Sequence, residues 1–161
     1  MRRRALAIGI AAAALTLAVA GIRFAGAQPA ALTAAARFAA IDIYVDSAEP
    51  LAAWQFELTE ANGAMAVVGV ENGDSDAYAD APHYDLAAVA AGRAERIVIA
   101  DYSLAAGDVL PVGRTRIATV HVRLAGNRAP DFELQLIAAG NTAGQPIEAA
   151  ALFELQDGSV Q

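Results

Sequence analysis

The sequence predicts an all-β fold, a jelly-roll-like antiparallel β-sandwich with one short helix accommodated in its longest connection. Two observations carry that prediction. Apolar residues recur with a period of two in segment after segment, and clusters of Gly, Pro, Asn and Asp separate those segments. A third observation sets the means of stabilisation. The chain has 161 residues and no cysteine, so a packed core rather than disulfides must hold it together.

The first segment precedes the fold. Met1 is followed by three arginines, Arg2 to Arg4, and then by the uncharged run Ala5 to Ile22. Arg23, Phe24 and the small-residue exit Ala25-Gly26-Ala27 come next. A basic start, an apolar stretch and an A-x-A exit define a secretory signal peptide over residues 1–27. The competing reading is an uncleaved anchor, which would be the chain's one link to a membrane. The alanine-rich run is weakly hydrophobic for that role. Either way the remainder is expected outside the cytoplasm: secreted, periplasmic or at the cell surface. Residues 28–36 are Ala-rich with Pro29 and read as a linker. The domain is expected over 37–157, with 158–161 as a tail.

Within the domain, Ile41, Ile43 and Val45 share one face of the first strand, and Asp42 and Tyr44 the other. Ser47 to Pro50 has turn chemistry. In the next run Trp54, Phe56 and Leu58 share a face, opposite Gln55, Glu57 and Thr59. Turning Phe56 and Leu58 to water would forgo about 1.5–3 kcal/mol each, so the only tryptophan is assigned to the core. Asn62-Gly63 is the turn to a third strand. That strand, Ala64 to Val70, is almost continuously apolar and suits a central strand covered on both sides. Arg96 to Tyr102, Thr115 to Leu124, Phe132 to Ala138 and Ala151 to Leu155 complete the set. The long connection from Asn72 to Glu95 begins acidic and ends Ala-rich. Asp85 is placed to cap a helix from Leu86 to Ala91, with Gly92 as its stop.

Charge narrows the function. Removing residues 1–27 takes four arginines and no acidic residue, so seven basic residues face eighteen acidic ones, a net charge of −11. Such a surface repels phosphate backbones, which excludes nucleic acid as a partner. Catalysis lacks a constellation. Without cysteine there is no thiol nucleophile or zinc–thiolate site. No serine stands in a G-x-S-x-G elbow, and no glycine-rich loop leads into a helix as a phosphate cradle requires. The protein is therefore expected not to be an enzyme. Asp74, Asp76 and Asp80 are hard-oxygen donors, and calcium is the cofactor they would take. Counted from Asp74, however, the sixth position is not Gly and the twelfth is not Glu, so the loop reads as a solvated acidic turn with no cofactor and no metal.

Recognition residues are sought on the outward alternates and among the tyrosines. Gln55 and Glu57 lie opposite the core face of their strand. His121 alternates with Thr119 and Arg123 against Val120, Val122 and Leu124. Tyr78 and Tyr84 flank Pro82 in the long loop, and Tyr102 is out of phase with the aliphatics of its strand. These six, Gln55, Glu57, Tyr78, Tyr84, Tyr102 and His121, are the expected binding residues, because exposed aromatics and polar alternates favour recognition.

The order "AAIDIYVDSAEPL", "AAWQFELT", "AMAVVGVENGD", a long loop, "RIVIADYS", "GRTRIATVHVRLAG" and "FELQLIAAG" resembles the cohesin domain and its relatives in the cohesin and carbohydrate-binding-module superfamily. The resemblance covers residues 38 to 155. It rests on an extended first strand, the "WQFEL" run, a strand ending at "VVGVENG" and the alternating "IATVHVRL". It implies a jelly-roll-like sandwich of about nine strands and a non-catalytic binding role. Cohesins bind calcium-containing dockerin modules, so a dockerin-like or other envelope protein is the implied partner. The alternative is a carbohydrate-binding module that recognises polysaccharide, for which Tyr78, Tyr84 and Tyr102 would be the exposed platform.

Overall fold

Alternation of apolar and polar residues is realised as paired strands. The computed structural model describes residues 36–92 and 95–156. The expected signal peptide, nearly all of the linker and the tail lie outside the described residues. The strands are β1 (Arg37–Ser47), β2 (Ala53–Glu60), β3 (Met65–Asn72), β4 (His83–Tyr84), β5 (Arg96–Tyr102), β6 (Gly113–Leu124), β7 (Phe132–Gly140) and β8 (Ala149–Gln156). They form two four-stranded antiparallel sheets, ordered β3-β6-β1-β8 and β4-β5-β2-β7. All seven expected strands are present, and the two-residue β4 is added inside the long connection. The fold is a β-sandwich.

Its core lies between the sheets. Ile41, Ile43 and Val45 of β1, with Val120, Val122 and Leu124 of β6, face Trp54, Phe56 and Leu58 of β2 and Ile97 and Ile99 of β5. Trp54 is buried to 2% exposure and stacks on Phe56, with ring centroids 5.6 Å apart. The period-two assignment of the tryptophan to the core therefore holds.

The reading of β3 as a central strand is corrected. It is an edge strand, paired only with β6 in its sheet. Its apolar run has another cause. The register shifts between Val67 and Gly69, so the alternation slips by one residue and Val68 turns outward at 48% exposure. A helical turn, α1 (Leu86–Ala90), lies against the strand. The Asp85 side chain caps α1 by accepting from the Ala88 N–H at 2.9 Å, and Gly92 follows with φ of +65°.

Asn62-Gly63 forms the β2–β3 turn. Gly63 has φ of +64° and donates its N–H to the Glu60 carbonyl at 3.2 Å. Glu60 organises the region around it. Its buried carboxylate accepts from the Asn62 N–H (3.1 Å), the Asn62 Nδ2 (3.0 Å), the Ala64 N–H (2.8 Å) and the Asp131 N–H (3.0 Å). Burial alone would raise this carboxyl's pKa, but the hydrogen bonds outweigh it and hold the group below the usual carboxylate range.

Candidate functional site

The outward alternates of β2 define one open face. With Trp54, Phe56 and Leu58 turned inward, Gln55, Glu57 and Thr59 stand on the outside of the β4-β5-β2-β7 sheet. Gln55 sits between Ala100 of β5 and Ala138 of β7, and Glu57 sits between Val98 and Gln135. The Glu57 carboxylate pairs with the Arg96 guanidinium, and this hydrogen bond holds the carboxyl below its usual range. A register shift beside Gln55 leaves Ile137 outward at 46% exposure.

Small side chains hollow the face at one end. Ala53, Gln55, Ala100 and Ala138 line a depression of about 410 Å3, walled on one side by the turn from Asn141 to Pro146. Tyr102, the register partner of Ala53 on β5, is 60% exposed. Its ring stacks on His83, with centroids 6.2 Å apart and planes 14° from parallel. Three expected residues, Gln55, Glu57 and Tyr102, thus share one face. His83 joins them because β4 pairs with β5, where its register partner is Ala100.

Two expected residues are corrected. Tyr78 is 3% exposed; its Oη donates to the Leu51 carbonyl, and its ring meets Trp54 edge-on at 6.0 Å. Burial, with the charge of Asp101 adding to it, pushes this phenol well above its ordinary pKa. Tyr84 is half-buried and packs against the core. The reason is local. Ser75 Oγ accepts from the Ala77 N–H at 3.3 Å and starts a 3-10 turn, Asp76–Tyr78, that carries Tyr78 back over the end of the sandwich. Tyr84 follows on β4 with its register partner Ile99, whose side chain is in the core. The Ser-Asp-Ala-Tyr cap was the available signal.

His121 is on the other sheet. It lies on the outside of β3-β6-β1-β8 in a groove of about 560 Å3, with Phe38, Ala40, Val68, Gly69 and Glu71 around it. Its Nε2 is 3.1 Å from Glu71 Oε1. The structure therefore does not bring His121 together with Gln55, Glu57 and Tyr102.

Beside this groove runs a polar network that the alternation pattern did not disclose. Asp42, outward on β1, is nonetheless 5% exposed. It accepts from Thr119 Oγ1 at 2.7 Å and from Gln156 Nε2. Arg116 donates to Thr119 Oγ1 and pairs with Asp74. Asp74 is thus engaged by a guanidinium. Among the described residues no three His, Asp or Glu side chains gather as metal ligands, so Asp74, Asp76 and Asp80 do not converge. Further along, Arg114 stands over the Tyr44 ring, its Cζ 4.3 Å from the centroid, and pairs with Glu154.

No protein-family model matches the chain, and no curated protein matches its sequence. The fold is similar to that of a chain in the crystal structure of the CaDoc0917–CaCohA2 complex, a dockerin–cohesin pair. The TM-score is 0.52 at 10% identity, over 70% of this chain and 82% of that one. The chain has a cohesin-like β-sandwich fold.

Proposed function

We propose that this protein is an exported, non-catalytic cohesin-like module that binds a protein partner through the outer face of the β4-β5-β2-β7 sheet. The observation that carries the reading is the union of that face with the fold. A sandwich similar to a chain of a dockerin–cohesin complex presents a hollowed sheet surface bearing Gln55, Glu57, Tyr102 and the exposed Ile137. A polar rim around small and apolar residues is the composition of a transient protein interface. The mature charge of −11 favours a partner of opposite sign. Export rests on the pattern of residues 1–27, and its destination is secreted, periplasmic or the cell surface. A protein is favoured over polysaccharide as ligand because Tyr78 and Tyr84 face inward, which leaves Tyr102 without the aromatic row that a sugar platform needs.

The test is photo-crosslinking. A photoreactive residue is placed at Gln55 and, in a second chain, at Arg123 on the opposite sheet. Each chain is incubated with the secreted and envelope fractions of its own cells. A defined protein adduct from position 55 and none from 123 is expected. Equal adducts from both, or none from either, would sink the assignment. Affinity electrophoresis on a polysaccharide panel decides the alternative, with unchanged mobility expected throughout.

A further inference from the structure

Four loops close one end of the sandwich: 48–52, 73–82, 103–112 and 141–148. They carry Glu49, Asp74, Asp76, Asp80, Asp108 and Glu148, with no arginine or lysine. At the other end, the described loop residues carry fewer charges and both signs: Asp85, Glu95, Arg128 and Asp131. The loops at the first end are therefore the more acidic; Arg116 at the start of β6 pairs with Asp74, and the remaining carboxylates attract cations.

A formed pocket lies in that acidic end. It has a volume of about 400 Å3 and lies between the 73–82 loop and the end of β5, lined by Asp80, His83, Asp101, Tyr102 and Leu104 over Tyr78. Tyr102 and Leu104 are 60% and 92% exposed, a large apolar surface for one corner of a loop end. Stacking on His83 holds the Tyr102 ring in place. One oxygen of Asp101 accepts from the Tyr102 N–H at 2.7 Å, while the other is buried and has no hydrogen-bond partner. Burial pushes the carboxyl up; the Tyr102 N–H and the charge of His83 offset part of that, and the charge of Asp80 adds to it. A positive charge here would relieve both carboxylates. The opposite sheet contains a filled version of the same group: a tyrosine ring, Tyr44, with Arg114 over its face and Glu154 as counter-ion.

We infer that this pocket receives a cationic side chain, arginine or lysine, from the protein partner. The charged head lies on the Tyr102 ring beside Asp80, and the aliphatic stem runs past Leu104. This rests on the protein-binding reading above and adds the partner's chemistry to it. Tyr102 lines the pocket and pairs in register with Ala53 of the hollowed sheet face, so a partner seated on that face reaches the pocket with a neighbouring residue.

The test is a backbone amide NMR titration of the full chain with N-acetyl-arginine amide, with N-acetyl-citrulline amide as the uncharged isostere. Saturable shifts confined to residues 77–81 and 101–104 are expected from arginine and none from citrulline. Tyr102→Ala, at an exposed position, should weaken the arginine response about two- to fivefold, and Asp80→Asn should weaken it further. Shifts spread evenly over the loops of Glu49, Asp108 and Glu148, equal shifts from citrulline, or no shifts would overturn the inference. The Asp80→Asn variant, which leaves the sheet face intact, is then crosslinked from position 55. An unchanged adduct without any arginine response defeats the pocket and leaves the sheet-face reading standing. An arginine response without an adduct from any position does the reverse.

Discussion

Phe56 and Tyr102 sit on neighbouring strands of one sheet with opposite fates: the first is fully buried and the second 60% exposed. Phe56→Ala should cost about 3–5 kcal/mol of unfolding free energy, while Tyr102→Ala should stay within about 0.5 kcal/mol. Urea unfolding followed by Trp54 fluorescence measures both. Alternation made this pair legible, because the phase of each strand assigns every side chain to the inside or the outside. Glu60 shows where alternation stops being informative. Its four hydrogen bonds come from residues 62, 64 and 131, and the last is brought near only by folding. Glu60→Gln should cost about 1–3 kcal/mol. The sign of its pH dependence follows from the lowered pKa. The carboxylate's contribution is fully present above the unfolded glutamate value, near about 4.3. It is lost as the pH falls through the folded value. Acid unfolding should therefore be less steep in the Gln variant over that interval, and equal steepness would contradict the role.

Strands and turns obey the same division. The hairpin at Asn62-Gly63 and the capped turn after Asp85 are local, and their residues announce them. The edge position of β3 is not local. An apolar run has the same appearance in a central strand as in an edge strand whose bulge turns one valine outward, and only the pairing partners distinguish them. Gly73 is a second example at this scale. A Cβ there would collide with the Arg116 carbonyl, because the chain leaving β3 runs against β6 and donates the Asp74 N–H to that same oxygen at 2.9 Å. Gly73→Ala should thus destabilise by about 1–3 kcal/mol. Gly107→Ala, where a Cβ meets open space, should change stability by no more than about 0.5 kcal/mol. Thermal unfolding of the two variants, side by side, checks the contrast.

At the scale of the whole molecule the expectation concerns export. Mass spectrometry of the chain recovered from its cells should find a mature N-terminus at Gln28, and an intact Met1 would establish the anchor instead. Among the described residues no helix is long and apolar enough to cross a membrane. The more acidic loop end also belongs to this scale, since it arises from four loops far apart in the chain that the up-and-down course of the strands gathers at one end. By itself the sequence determined the β-sandwich, its strands, the inward tryptophan and the outward Gln55 and Glu57, because each follows from residues two positions apart on one strand. Only the tertiary structure decided which outward residues share a surface. It separated His121 from Gln55 by a whole sandwich, folded Tyr78 and Tyr84 inward and set His83 against Tyr102. Those outcomes depend on which strands pair and where a loop returns, and both are settled by contacts between residues distant in sequence.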